Sequence, residues 1–353
     1  MKRYFGLLAL IFVLVAALFG CGGGGSSSTG TSSSSSGDSS SGQSSDSGGG
    51  SGSSSGKTLD ITFSTATTTG VYYPLGAALS KMWNDKVQGV KVSSQASDGS
   101  VQNLHLMQQG KINMALTTVG VLYNAYNGKA KFKGNPFKDV RIIAALYPNV
   151  GQIVARKGSG IHSIADIKGK KFVPGAPGSS TRVLSNHILA AYGLTFKDTK
   201  AQFVGFTQAA QLMRNKQIDV TDVMAGLPTS AVVEMLSTAN GEIVPIDEQH
   251  IKKMQSKYPW LFGYDIPAGT YDGQDKAVHT VAQANMLIVP KDMPEDIVYN
   301  LTKAMWDKAN ITTIRNSVAA AKNMKLENAT TGLAGVPLAD GAKKFYKEKG
   351  VLK

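Results

Sequence analysis

From residue 58 onward, two hydrophobic periods take turns along the chain. Leu59, Ile61 and Phe63 alternate with Asp60, Thr62 and Ser64, the period of a half-buried strand, and the run breaks at Thr67-Thr68-Thr69-Gly70. Beyond Pro74, Leu75, Ala78, Leu79 and Met82 recur at helical spacing, and residues 90–96 read as a strand again. Gly99-Ser100 opens a helical stretch carrying Val101, Leu104 and Met107, which Gly110 stops before Ile112, Met114 and Leu116 alternate. Further strands are expected at 142–147, 152–155, 171–173, 202–204, 219–224 and 242–246, with helices at 182–192, 208–216 and 230–239. Strands alternating with helices define an α/β chain with largely parallel sheets. The last strand-like run, 280–289, is followed only by helical stretches at 295–309, 313–323 and 338–349.

The first residues carry a different kind of pattern. Met1-Lys2-Arg3, an apolar run over 5–19 and then Gly20-Cys21 have the layout of a secretory signal peptide, 1–20. The apolar run falls short of the roughly 20 residues that span a bilayer. Leu18-Phe19-Gly20-Cys21 resembles a bacterial lipobox, with Phe19 bulkier than the usual occupant, which makes Cys21 the expected lipid-attachment residue. Cys21 is also the only cysteine, which excludes a disulfide framework, a cysteine zinc site and a cysteine nucleophile in the folded part. The following Gly/Ser stretch, up to residue 57, has almost no apolar side chain to offset the entropy of ordering it, so it reads as a tether with a reach of roughly 30 Å. The expected location is extracytoplasmic, lipid-anchored to the cell membrane.

About 300 residues remain, enough for two lobes of ordinary size. The formal net charge is +13, yet the lysines are spread along the chain rather than gathered in one arginine-rich or aromatic-interleaved stretch. That spread argues against a nucleic-acid partner. The surplus suits an anionic solute or an anionic lipid surface.

Three segments place small and hydroxyl residues just before a helix: 67–74, Ser97-Asp98-Gly99-Ser100, and Ala176-Pro177-Gly178-Ser179-Ser180-Thr181. A helix start leaves its first N–H groups without internal partners, and its dipole favours negative charge. Glycine lets a ligand approach the backbone, and Ser and Thr hydroxyls add donors that can turn toward a carboxylate. Helix capping is the commoner use of any one such loop. Three of them can converge on one cleft. Asn103 lies one turn beyond Ser100, facing either the same cleft or the packing. Arg182 follows the third loop, as a carboxylate partner or a solvated side chain. Of Tyr72 and Tyr73, one is expected in the core.

Catalytic constellations are missing. The five histidines are scattered with no pair at one-turn spacing, and neither His-Glu-x-x-His nor Gly-x-Ser-x-Gly occurs. No catalytic residue, metal or cofactor is expected.

Several stretches, in this order and spacing, resemble the TAXI family of TRAP transporter solute receptors over nearly the whole folded part. They are Thr69-Gly70-Val71-Tyr72-Tyr73-Pro74-Leu75-Gly76, Asp98-Gly99-Ser100-Val101-Gln102-Asn103-Leu104, and Pro174-Gly175-Ala176-Pro177-Gly178-Ser179-Ser180-Thr181. Ile218-Asp219, Ala225-Gly226-Leu227-Pro228-Thr229, Ile266-Pro267-Ala268-Gly269-Thr270-Tyr271, Leu287-Ile288-Val289 and Pro294-Glu295-Asp296 continue the match. The resemblance implies a type II periplasmic-binding-protein fold, two α/β lobes with mixed sheets joined by two crossing strands. By analogy with that fold the chain crosses near residue 150 and returns near 280, giving lobe 1 as 58–150 with 281–353 and lobe 2 as 151–280.

The ligand positions the resemblance implies are Thr69, Gly70, Val71 and Tyr72, then Ser100 and Asn103, then Gly178, Ser179 and Thr181, with Gly226 and Pro228 at the cleft edge. Two departures bear on the ligand. Thr118-Val119-Gly120 stands where the family shows an amide and an acid, which makes Thr118 the cleft-facing residue and points away from a glutamate amino group. Ser180 replaces a common glycine without harm to anion binding. The implied function is capture of a small carboxylate, glutamate-like or another organic acid, by a monomeric receptor that serves the membrane permease subunits of an ion-gradient-driven TRAP transporter. The alternative is a sensing subunit that presents its solute to a membrane signalling receptor; an enzyme or an adhesin is less supported by these loops.

Overall fold

The computed structural model describes residues 58–352; the expected signal peptide, Cys21 and the Gly/Ser linker lie outside the described residues. Leu59–Ser64 (β1) buries Ile61 and Phe63 on one face, as its alternation requires. It runs parallel to Val90–Gln95 (β2) and to Met114–Thr118 (β3). Tyr72–Lys86 (α1) and Ser100–Gln108 (α2) make the crossovers between these strands, and α1 seals its contact through Leu75, Leu79 and Trp83. Val119–Tyr126 (α3) leaves β3 without a linking loop.

Val140–Arg156 (β4) then runs for 17 residues, roughly 55 Å of extended chain. After it come Lys171–Val173 (β5), Ser180–Ala191 (α4), Lys200–Ala201 (β6), Phe206–Arg214 (α5) and Val220–Ala225 (β7). Ser230–Thr238 (α6), Gly241–Val244 (β8), Glu248–Lys257 (α7) and Phe262–Ile266 (β9) lead into Val278–Pro290 (β10), which is 13 residues long. Glu295–Trp306 (α8), Lys308–Ser317 (α9) and Asp340–Glu348 (α10) follow.

The strands form one curled mixed sheet in the order β2-β1-β3-β10-β4-β7-β5-β6, with β8 on β4 and β9 on β10. Two strands tie the halves together. The first part of β4 pairs with the last part of β10, while its last part, from Val150 to Arg156, pairs with β7 and β8. The result is two α/β lobes on two crossing strands.

The expectation of separate strands at 142–147 and 152–155 is corrected: both belong to β4. Pro148 and Gly151 suggest a break, but Pro148 sits at a bulge. Met286 faces Ala145 while Ala284 faces Pro148, so β4 carries one extra residue there. A bulge is where a central strand tolerates a residue that cannot donate to the ladder.

Other differences are local. The strand expected at 202–204 is the two-residue β6, just upstream. The helices expected at 295–309 and 313–323 are re-divided: the Asp307 carboxylate accepts from the N–H groups of Ala309 and Asn310 at 3.0 and 3.2 Å and starts α9, which ends at Ser317 before a short 3-10 turn. Helices α3 and α7 and strand β9 were not expected. α3 is buried at each of its first four residues and shows no one-sided pattern. α7 is mostly polar, though Asp247, whose carboxylate caps it through the His250 N–H, was a readable signal. β9 is an edge strand that buries only Ile266.

The C-terminal helices pack on the β1–β3 side. Pro337 and Ala339 hydrogen-bond to either side of Ile142 on β4, and the Tyr346 hydroxyl donates to the Ile143 carbonyl at 2.9 Å. α10 crosses α8 closely enough that a Cβ on Gly341 would stand 2.1 Å from the Glu295 carbonyl oxygen. Since that neighbour is backbone, Gly341→Ala is expected to destabilise by about 1–3 kcal/mol, read as a lower Tm in thermal denaturation.

Candidate functional site

Three helix starts meet where the lobes face each other, and each handles its free amides differently. At α1, the turn of Thr67–Gly70 closes through the Gly70 N–H on the Thr67 carbonyl at 3.0 Å, and Val71 occupies the N-cap without a capping side chain. Its first-turn amides therefore have no acceptor among the described residues. Tyr72 is buried and donates its hydroxyl to Asn285 Oδ1, while Tyr73 is exposed, so Tyr72 is the core member of the pair. Burial pushes the Tyr72 phenol well above its usual range, which keeps it a neutral donor.

At α2 the amides are already used. The Val101 and Gln102 N–H groups both donate to the Gly178 carbonyl of the opposite lobe, at 3.0 and 3.1 Å. Gly178 can come this close only without a side chain, since a Cβ there would lie 2.9 Å from Asp98 Cβ. A reciprocal bond runs the other way: the Thr69 carbonyl accepts from the Ala231 N–H in the first turn of α6, at 3.3 Å. Thr69 Oγ1 also meets Thr207 Oγ1 at 3.1 Å.

At α4, Ser179 is a true cap. Its hydroxyl accepts from the Arg182 N–H at 3.1 Å and donates to the Ala176 carbonyl at 2.8 Å. That leaves the Ser180 and Thr181 N–H groups as the open donors, and neither hydroxyl of this pair is tied to another described residue.

These starts enclose a cavity of about 30 Å³, room for about two water molecules. Of the residues expected to bind ligand, Gly70, Val71, Tyr72, Ser100, Ser179, Ser180 and Thr181 line it. Thr69, Asn103, Thr118, Gly178 and Gly226 stand outside that lining. Asn103 is fully buried and spends its amide on structure: Oδ1 accepts from Ser64 and Ser97, and Nδ2 donates to the Thr65 and Leu116 carbonyls. Thr118 gives its N–H to Ser100 Oγ at 3.1 Å. Gly226 packs under Tyr147, where a Cβ would lie 2.7 Å from the ring.

Sequence reasoning missed the opposite wall and the floor. Phe206, Met224 and Ala225 supply an apolar wall, and Asn149 on β4 supplies the floor. Phe206 opens a helix and Ala225 ends a strand, positions a pattern can flag; Asn149 is hidden in a run read as a break. Arg182 does not enter the site, because its guanidinium lies 4.3 Å above the Phe203 ring. Asp98 is the one carboxylate in the lining, at the exposed rim.

Among the described residues, one buried polar atom of the cavity lining has no partner, Asn149 Oδ1. Folded proteins leave few such atoms, so it marks a place that a polar ligand completes. No three His, Cys, Asp or Glu side chains come together as a metal cluster among the described residues. No described helix is long and apolar enough to cross a membrane.

Two lobes on two crossing strands, with a cavity between helix starts, define the type II periplasmic-binding-protein fold. The chain belongs to the NMT1-like family, whose profile matches residues 63–350. A solved structure from Bordetella bronchiseptica RB50 is similar at 20% identity and a TM-score of 0.52, with 84% of this chain and 90% of that one covered. The alkanesulfonate-binding protein SsuA from Xanthomonas axonopodis pv. citri bound to MOPS is similar at 13% identity and a TM-score of 0.47, covering 84% of this chain and 95% of that one. DctP7, a Bordetella pertussis extracytoplasmic solute receptor binding pyroglutamic acid, is similar at 12% identity and 0.45, covering 83% and 93%.

Behind α4, Asp222 on β7 is fully buried, with Oδ2 accepting from Ser185 Oγ at 2.7 Å and Oδ1 unpartnered. Burial pushes this carboxyl from 3.8 up to about 7, against a smaller lowering by Ser185. A raised carboxyl pKa means the folded state holds its proton longer than the unfolded chain does. Stability is therefore full below the unfolded value, falls as pH rises between the two values, and levels off above the folded one. Asp222→Asn should remove this slope, so thermal melts at pH 5 and pH 8 should differ more for the unaltered protein than for the variant.

Proposed function

We propose that this protein is an extracytoplasmic solute receptor that captures a small carboxylate between its lobes and delivers it to a membrane transporter, of TRAP type on the strength of the TAXI-like stretches. The carrying observation is that the starts of α1 and α4 line one cavity and both leave first-turn amides without an acceptor among the described residues, with Ser180 and Thr181 in the same lining. Helix starts and hydroxyls bind an acid group without a cationic side chain. On this reading the lobes are 58–150 with 281–353 and 151–280, Cys21 carries the lipid anchor, and no cofactor takes part.

Binding is a closure. A solute enters while the lobes are apart, and its acid group then bridges amides from both sides. Only its extra affinity for the closed form shifts the population. Three or four charge-assisted hydrogen bonds at about 1.5–3 kcal/mol each are enough to account for a micromolar complex, about −8 kcal/mol, after ordering costs. The bonds from Gly178 and Thr69 to helix starts of the facing lobe form in the same movement.

Titration calorimetry against a panel of small carboxylates tests this. The double substitution Ser180→Ala, Thr181→Ala should weaken the acid that binds by roughly tenfold or more with little change in Tm. Ser179→Ala should instead lower the Tm, by about 1 kcal/mol of lost capping. An unchanged affinity in the double variant sinks the assignment of the site.

A further inference from the structure

The two crossing strands carry four buried amide side chains, and three of them are paired within the protein. Gln152 accepts from the Tyr271 hydroxyl, Gln283 accepts from the Gly120 N–H at 2.9 Å, and Asn285 accepts from Tyr72 while donating to the Tyr147 carbonyl at 3.1 Å. Asn149, one residue past the bulge, is the exception. It is 2% exposed and lines the cavity, its Oδ1 is enclosed without a partner, and its Nδ2 donates to no described residue.

We infer that the solute is a singly charged acid that also bears a neutral donor–acceptor group, in its smallest form a hydroxyl, and that Asn149 pairs with that group. This rests on the carboxylate reading above. An amide offers an acceptor and donors whichever way it is turned, so the inference is independent of how its oxygen and nitrogen are assigned. A second carboxylate only accepts, and an ammonium only donates; either leaves half of the amide unmatched. Charge decides in the same direction. Nothing ionised lines the enclosed part, since Asp98 stands at the rim and Arg182 lies on Phe203. A second charge at the depth of Asn149 is buried without a counter-ion. Phe206 and Met224 leave an apolar side for a short hydrocarbon tail.

The test is calorimetric titration of the folded protein with matched pairs, lactate against propionate and 2-hydroxybutyrate against butyrate, together with alanine and succinate. The hydroxy acid should bind at least about tenfold tighter than its plain partner and than alanine or succinate, because a site built for a hydroxyl rejects analogues lacking it. Asn149→Ala should erase that preference by weakening the hydroxy acid alone. Because the amide makes no bond to any described residue, the Tm of this variant should hold; if truncation lowers it, Asn149→Leu, of similar volume, carries the same comparison. Equal binding within a pair, equal binding of alanine or succinate, or a preference that survives both variants overturns the inference while leaving carboxylate capture standing. If no acid in the panel binds, carboxylate capture falls and this inference with it.

Discussion

The antiparallel pairing of β4 with β10 is the contact on which everything else is registered. It joins the two strands that run on into both lobes, and most of it is buried. The polar side chains of these two strands reach outward to three helix starts, of which the first lies at the cavity: Asn285 holds Tyr72 at the start of α1, Gln283 holds the Gly120 N–H in the first turn of α3, and Gln152, through Tyr271, reaches Thr229 at the cap of α6. The start of α1 is thus positioned from the crossing strands as well as from its own loop. Each bond lies in an interior where an unpaired amide is unfavourable, which fixes the geometry before any solute arrives.

The electrostatics of the cavity are local and largely independent of the overall charge. A net +13 brings anions toward the surface, yet no lysine or arginine lines the enclosed space. On the proposed reading, recognition falls to backbone dipoles and hydroxyls. These are weaker than an arginine fork but are held rigidly by the elements they terminate. The buried Asp222 beneath α4 is consistent with this division, because its raised pKa keeps a formal charge out of the lobe interior across acidic pH.

Much of this was legible in the sequence, for physical reasons that can be named. Alternating strands such as β1 and one-sided helices such as α1 bury one face, and that periodicity survives in the residue order. The three loops before helices were readable because capping and anion binding draw on the same small and hydroxyl residues. What could not be read was which of those amides remain open. That Gly178 would occupy the start of α2 depends on a contact with Val101 and Gln102, far away along the chain; that Ser179 spends its hydroxyl on its own helix is local, the commoner of the two uses weighed for such a residue. Asn103 sat at the expected spacing yet faces inward, where four groups saturate it. Asn149 lay inside a run whose proline and glycine concealed a continuous strand, and a bulge is a property of pairing that one strand alone does not announce.

The bonds that join the lobes when they meet are made from main chain on both sides: the Gly178 carbonyl on α2 and the Thr69 carbonyl on α6. Such a fastening asks little of side-chain identity beyond a bare α-carbon at Gly178. On the proposed reading, the residues that face the solute are then free to vary while this main-chain clasp stays as it is.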